Sequence, residues 1–314
     1  MNFNHKSIMV DEVLNSLNIN PDGIYLDCTL GGGGHSRAIA NKLSAQALLI
    51  GIDQDEDAVK AAAENLSDAI CKVKIIRANF SRLNEILDDL GIDKIDGALF
   101  DLGVSSYQID TPQRGFSYMK DSPLDMRMDK LRSLTARDVI NTYDEDRLIK
   151  IFSDYGEERF SKRIAAAVCK ARKISPIETT GELVKIIESA APHIKNGGHP
   201  AKRIFQAVRI EVNGELEILA DSVKDAVNRL KGGGRLAVIT FHSLEDRIVK
   251  DTLKLLAQDC ICPKNFPVCI CNHHAAIKIL GKPVTPSHAE ILSNNRAKSA
   301  KLRVAHKISK EDFT

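Results

Sequence analysis

Four consecutive glycines at positions 31–34 lie between a short strand-forming run that ends at Asp27 and a helix-forming stretch that begins at Ser36. Without a β-carbon, the backbone of such a turn can approach a ligand or a neighbouring element that other residues would hold away. The surroundings are periodic. Runs at 24–27, 48–53, 73–77 and 98–101 are rich in strand formers and end in polar or charged residues, with helical patterns over 36–43, 56–66 and 81–90 between them. This β-α-β alternation specifies a mostly parallel, doubly wound α/β sheet whose functional loops follow the carboxyl ends of the strands. With 314 residues, 43% of them hydrophobic and 27% charged, the chain has the length and composition for one large α/β domain and a smaller second unit.

The next strand-forming run, 236–241, comes far later than a crossover requires, so a unit is inserted between the fourth and fifth strands. The intervening chain reads as helical, with Asp144 and Thr180 as N-caps, Gly156 as a stop, and Ala165, Ala166 and Ala167 as strong helix formers. We place this inserted helical domain at 113–200 and the sheet domain at 1–112 and 201–314. From Ala201 a helical pattern resumes that returns the chain to the sheet, with Leu216, Leu219, Val223, Val227 and Leu230 as one apolar stripe. Gly232, Gly233 and Gly234 then suit a tight turn into the fifth strand, and 277–308 reads as two more strands. The longest apolar run, 47–52, is too short to span a membrane and the N-terminus lacks a basic-then-apolar leader, so we expect a cytoplasmic protein with no membrane partner. Seven cysteines, three of them (Cys28, Cys71, Cys169) in apolar or helical patterns, argue against a disulfide framework. A net charge of +2 leaves the partner open.

The glycine turn does not match the pyrophosphate-binding patterns. A dinucleotide fingerprint needs glycine or alanine where Ser36 stands, and no Gly-Lys-Ser/Thr follows the turn. An acidic residue at a strand end followed by Gly-x-Gly instead resembles class I Rossmann-like methyltransferases, in which the turn holds a zwitterionic amino acid. Asp53, at the end of the second run, can accept from both hydroxyls of an unphosphorylated ribose. Phe80, after the third run, can pack against an adenine or simply fill the core.

Longer motifs carry a narrower resemblance. GGGGHS (31–36), DLGVSS (101–106) with Gln108, RGFSY (114–118), SPLDMRMD (122–129), ITFHSLEDRIVK (239–250) and NNRAKSAKLRV (294–304) together are similar to the bacterial 16S ribosomal RNA (cytosine-N4)-methyltransferase family, and they span nearly the whole chain. The resemblance implies methylation of a cytosine amine in 16S rRNA of the small ribosomal subunit, with S-adenosyl-L-methionine as cofactor. It implies cofactor contacts at Gly33, Gly34, His35, Asp53, Phe80, Asp101 and Gln108, and makes the insert a substrate-recognition lobe. Tyr107 departs from the family pattern, where proline is common. Asp101, Ser105 and His242 are the candidate catalytic residues, with Asp101 placed to accept from the amine N–H. Carbon-5 methylation would need a cysteine nucleophile near this strand end, and none lies between Cys71 and Cys169.

Several features stay open on sequence alone. His242, Glu245 and Asp246 can line the cleft, or Ser243-x-x-Asp246 can cap a helix; Asp125 and Arg127 can contact RNA or pair with each other. Two basic stretches, Arg296, Lys298, Lys301, Arg303, Lys307 and Lys310 in the tail and Arg159, Lys162, Arg163, Lys170, Arg172 and Lys173 in the insert, can track phosphates or be solvated faces. Cys260, Cys262, Cys269 and Cys271 form two C-x-C pairs that can hold zinc or be reduced thiols of a loop, and no metal is assigned to the site. A homodimer is left open. A small-molecule methyltransferase, a nicotinamide dehydrogenase and a noncatalytic RNA-binding module are the competing classes, the dehydrogenase disfavoured by Ser36.

Overall fold

The computed structural model describes residues 7–191, 198–263, 266, 268–271 and 273–309. The chain forms two compact units, one of residues up to Gly103 and from Leu216 onward, the other Val104–Glu215. The first begins with helix α1 (Val10–Leu17) and then alternates β1 (Ile24–Asp27), α2 (Gly34–Ala40), β2 (Leu48–Asp53), α3 (Glu56–Asn65), β3 (Lys72–Arg77), α4 (Leu83–Asp89) and β4 (Ile95–Asp101).

The second unit contains α5 (Ser106–Asp110), α6 (Ala136–Thr142), α7 (Glu145–Asp154), α8 (Ser161–Arg172), α9 (Thr180–Ala190) and α10 (Ala201–Asn213). It is wider than the 113–200 read from the sequence, because α5 at one end and α10 at the other are part of it. Ile204, Phe205, Val208 and Val212 of α10 share one core with Leu148, Ile164 and Leu183 of the preceding helices. Asn213, 2% exposed at the end of α10, secures the loop that bears Met126 at a left-handed φ of 60°. Its amide donates to the Met126 carbonyl at 2.9 Å and to the Arg209 carbonyl at 2.8 Å, and its oxygen accepts from the Met128 N–H at 2.8 Å. Thr179, not Thr180, caps α9: its side chain accepts from the Glu182 N–H, while the Thr180 hydroxyl donates to the Lys120 carbonyl at 2.7 Å. Asp144 caps α7 by accepting from the Arg147 N–H.

The chain re-enters the sheet through α11 (Leu219–Arg229), β5 (Leu230–Thr240), α12 (Ser243–Leu256), β6 (Ile277–Ile279), α13 (His288–Ser293) and β7 (Lys301–Lys307). The sheet order is β3-β2-β1-β4-β5-β7-β6. The first five strands are parallel, and β7 runs antiparallel to both β5 and β6. Side chains alternate across the strands, so Leu26, Ile50, Phe100 and Val238 meet α4, α11 and α12 on one face. Tyr25, Leu49, Leu99 and Ala237 meet α1, α2 and α3 on the other. This is a doubly wound, Rossmann-like α/β sheet with helices on both faces.

The glycine run 232–234 differs from the expected turn before the strand. β5 already pairs at Leu230 with Ile95, and the register resumes at Arg235 with Gly97, so Lys231 to Gly234 bulge out of the ladder, with Gly233 at φ 87°. Leu230 of the expected apolar stripe therefore belongs to β5, while Leu219, Val223 and Val227 form the buried stripe of α11. Among the described residues no helix is long and apolar enough to cross a membrane.

Replacing Asn213 by leucine leaves a buried N–H and a buried carbonyl without partners, each costing about 1–3 kcal/mol. We expect Asn213→Leu to lower unfolding stability by roughly 2–5 kcal/mol, read as a reduced urea midpoint of the helical unit's transition.

Candidate active site

In a parallel sheet the carboxyl ends of neighbouring strands open on the same edge. The strand order therefore lines up Asp53 at the end of β2, Asp27 at the end of β1 and Asp101 at the end of β4. Three carboxylates on one edge repel one another, and each is held by a different set of donors.

Asp27 is 1% exposed and faces inward. Its carboxylate accepts from the Ser36 hydroxyl at 2.7 Å and from the Thr29 N–H at 3.1 Å. Burial raises its pKa, opposed by the Ser36 hydroxyl, the His35 charge and the Thr29 N–H. These bonds tie the first turn of α2 to the end of β1. Ser36, which breaks the dinucleotide pattern, is thus the residue that satisfies Asp27.

The glycine turn closes over this link. Gly31 and Gly33 take left-handed φ values of 51° and 80°, and the Asn65 side chain donates to the Gly32 carbonyl at 3.0 Å. A β-carbon on Gly33 would lie 3.3 Å from Ala62 of α3, and one on Gly34 would meet the Ser7 side chain.

Asp53 receives two backbone donors, the Gly31 N–H and the Asp55 N–H, both at 2.8 Å and on different oxygens. Each carboxylate oxygen retains acceptor capacity. Burial pushes its pKa up to about 6, against the pull of those two N–H groups. Asp55 in turn caps α3 by accepting from the Asp57 N–H at 3.1 Å.

At the end of β4, the Asp101 N–H donates to the Thr29 hydroxyl oxygen at 2.5 Å. His35, 5% exposed, brings Nε2 to 3.5 Å from Asp101 Oδ2, a charge contact longer than a good hydrogen bond. Burial alone would lower the His35 pKa, but the Asp101 carboxylate, with the charges of Asp27 and Glu290, raises it overall. Both His35 ring nitrogens and Asp101 Oδ1 are buried polar atoms without a hydrogen-bond partner among the described residues. Native interiors satisfy such groups, so this corner of the edge is built for further polar partners.

The other expected residues have more local duties. Phe80 follows Asn79, whose side chain accepts from the Ser81 N–H at 2.9 Å and donates to Gln54 at 2.9 Å. The half-buried Phe80 ring meets Phe100 edge-on, with centroids 5.5 Å apart. His242 caps α12 with its ring, and Glu245 completes the box by accepting from the Phe241 N–H at 2.8 Å and the His242 N–H at 3.3 Å. The capping box thus starts one residue earlier than the Ser243-x-x-Asp246 read from the sequence. Ser105 and Gln108 lie in the second unit and form the capping box of α5. Asp125 and Arg127 pair with each other, through bonds of 2.9 and 2.7 Å.

Of the tail cations, Lys301 and Arg303 are engaged by Asp246, at 3.1 and 2.7 Å, and they hold its carboxyl below the usual range against the effect of burial. Lys310 lies outside the described residues. In the insert, Arg172 donates to the Ile140 carbonyl at 2.7 Å. Arg159, Lys162, Arg163, Lys170 and Lys173 are exposed.

Glycines at left-handed φ in the turn after β1, and a carboxylate with spare acceptor capacity one strand away, fit an adenosyl amino acid. A doubly wound sheet with that edge defines the chain as a class I, S-adenosylmethionine-dependent methyltransferase. It belongs to the MraW methylase family, whose model matches residues 2–308. It is 55% identical over 310 residues to "Ribosomal RNA small subunit methyltransferase H" from Clostridium botulinum (strain Kyoto / Type A2), covering 98% of this chain and 100% of that one. It is 53% identical over 311 residues to the protein of the same name from Clostridioides difficile (strain 630), again over 98% and 100%. A solved structure of a putative rRNA-methylase from Clostridium thermocellum aligns with a TM-score of 0.46 at 11% identity, over 97% of this chain and 100% of that chain.

Because folded His35 keeps its proton to a higher pH than an unfolded histidine, the interaction stabilises the fold below the unfolded value of about 6.5. That contribution is lost as pH rises through the folded-state value. Removing the largest charge partner should reverse the balance with burial. We expect the His35 ring protons, followed by NMR, to titrate above the unfolded histidine value in the wild-type protein and to move down in Asp101→Asn.

Proposed function

We propose that this chain transfers a methyl group from S-adenosyl-L-methionine to the exocyclic N4 amine of a cytosine in 16S rRNA of the small ribosomal subunit. The observation that carries this reading is the Asp101–His35 corner, where a carboxylate oxygen has no donor among the described residues and a buried imidazole stands beside it. A cytosine amine is a poor nucleophile because its lone pair is delocalised into the ring. It gains electron density when a carboxylate accepts one of its N–H groups. The names of the relatives, which describe rRNA small subunit methyltransferases, set the substrate class.

Gly33, Gly34, His35, Asp53, Phe80, Asp101 and Gln108 are the proposed cofactor contacts. Bound S-adenosylmethionine supplies an electrophilic sulfonium methyl. The chain's own residues orient the partners: the Asp53 carboxylate accepts from the ribose hydroxyls, and the glycine turn leaves room for the amino-acid end. Asp101 Oδ1 accepts from the cytosine amine and is placed to take the proton released when the nitrogen–carbon bond forms. Alignment of amine and methyl can supply roughly 7–11 kcal/mol of the barrier reduction. Ser105 and His242 are the other proposed catalytic residues, and each also caps a helix, α5 and α12.

The exposed cations Arg159, Lys162, Arg163, Lys170 and Lys173 make the inserted unit the proposed RNA-contacting lobe. A ribosomal RNA substrate supports a cytoplasmic protein, and a homodimer is compatible with this reading.

Small subunits purified from cells lacking this protein should accept labelled methyl and yield N4-methylcytidine on nucleoside analysis. Asp101→Ala should lower turnover by roughly 10²–10⁴-fold, the range of a lost general base. Methylation at another atom, or of a metabolite in place of the subunit, would defeat the assignment.

The acceptor role of Asp53 requires its ionised form. We expect S-adenosylmethionine affinity, measured by calorimetry, to fall as pH is lowered through about 6. Asp53→Asn should weaken binding about 10–100-fold at neutral pH, the equivalent of one or two charge-assisted hydrogen bonds, and should flatten that pH dependence.

A further inference from the structure

Between α12 and β6 the chain makes an excursion that the methyl-transfer reading does not use. Its two C-x-C pairs converge: the four sulfur atoms of Cys260, Cys262, Cys269 and Cys271 all lie within 4.8 Å of one another. We propose that these four cysteines bind one Zn²⁺ ion as a closed, structural tetrathiolate site.

The first support is the spacing. Sγ of Cys260 is 3.4 Å from that of Cys269 and 3.8 Å from that of Cys271, and Cys269 and Cys271 are 3.5 Å apart. A tetrahedral zinc ion with Zn–S bonds of about 2.3 Å requires sulfur–sulfur edges of roughly 3.8 Å. All four cysteines are free thiols. The cluster therefore approximates the coordination polyhedron of a tetrahedral ion.

A second, independent support is the backbone. The N–H groups of Ile261, Cys262 and Ile270 donate to the sulfurs of Cys271, Cys260 and Cys262, each at 3.4 Å. Donors aimed at sulfur favour the thiolate over the thiol. Replacing four thiol protons by one Zn²⁺ releases four protons and leaves a net charge of −2 on the site, which those N–H groups offset.

The third is what the loop lacks. Ile261 is 50% exposed, and Val268 and Ile270 are each 70% exposed, so apolar burial does not hold the two C-x-C segments together. Among the described residues, the donor atoms that cluster here are the four cysteine sulfurs, with no histidine in the group. With four protein sulfurs and no place for water, the ion would be structural. It would pin the exit of α12 to the entry of β6.

The full-length chain, purified under reducing conditions, should contain one zinc per molecule by elemental analysis. Removing the zinc with a chelator and adding Co²⁺ should produce thiolate-to-cobalt charge-transfer absorption and the intense visible bands of a tetrahedral centre, both bleached by added zinc. The C260S/C262S double variant should hold no zinc and show no cobalt spectrum while keeping the wild-type far-ultraviolet circular dichroism. Because the cobalt titration is done on the wild-type chain, a misfolded variant does not decide the result. Purified wild-type protein with no zinc and no cobalt spectrum, or one carrying iron at this site, would overturn the proposal.

Discussion

Burying Asp27 at the end of β1 is the constraint from which the ligand edge follows. A carboxylate 1% exposed is tolerated because the Ser36 hydroxyl and the Thr29 N–H meet it. Those donors can do so only if α2 starts immediately after the glycine turn. That fixes the turn's path and forces left-handed φ at Gly31 and Gly33. It also directs the Gly31 N–H to Asp53. Thr29 continues the arrangement across the sheet by accepting from the Asp101 N–H. Three neighbouring strand ends are thereby coupled through one short segment, residues 27–36, and the acidic groups left facing outward are those at its two flanks.

Much of the sheet domain was legible because its signals are local. The β1 and β2 boundaries coincide with the runs at 24–27 and 48–53, since buried parallel strands read as apolar blocks that end where a polar residue leaves the sheet. The edges of the insert were not legible. Helix α10 carries an amphipathic stripe that is as compatible with packing on a sheet as on other helices, and only its shared core with Leu148, Ile164 and Leu183 decides. The bulge at 231–234 was hidden for a similar reason: glycines suit a turn and a bulge equally, and register is a property of two strands.

The site was legible in its acids and less so in its partners. Asp53 and Asp101 follow from position alone, but the contact of His35 with Asp101 depends on the rotation of α2, which no periodicity in a seven-residue helix specifies. Charge runs misled in a physical way. Lys301 and Arg303 alternate with apolar residues along β7 and look like a basic stripe, yet Asp246 at the start of α12 faces them and engages both. A cation count along the chain sees one element, whereas the field at the surface is set by the elements packed against it.

The insertion between β4 and β5 has a kinetic meaning. These strands are hydrogen-bonded neighbours at the centre of the sheet, Leu99 opposite Ala237, although the whole of Val104–Glu215 intervenes. Zipping them from an unstructured chain means closing a very long loop before any contact compensates the lost entropy. The inserted helices have mostly local contacts and a core of their own, so their collapse shortens that loop before the strands meet. On this argument the insert's collapse precedes the pairing of β4 with β5, and a mutation that slows it delays that pairing.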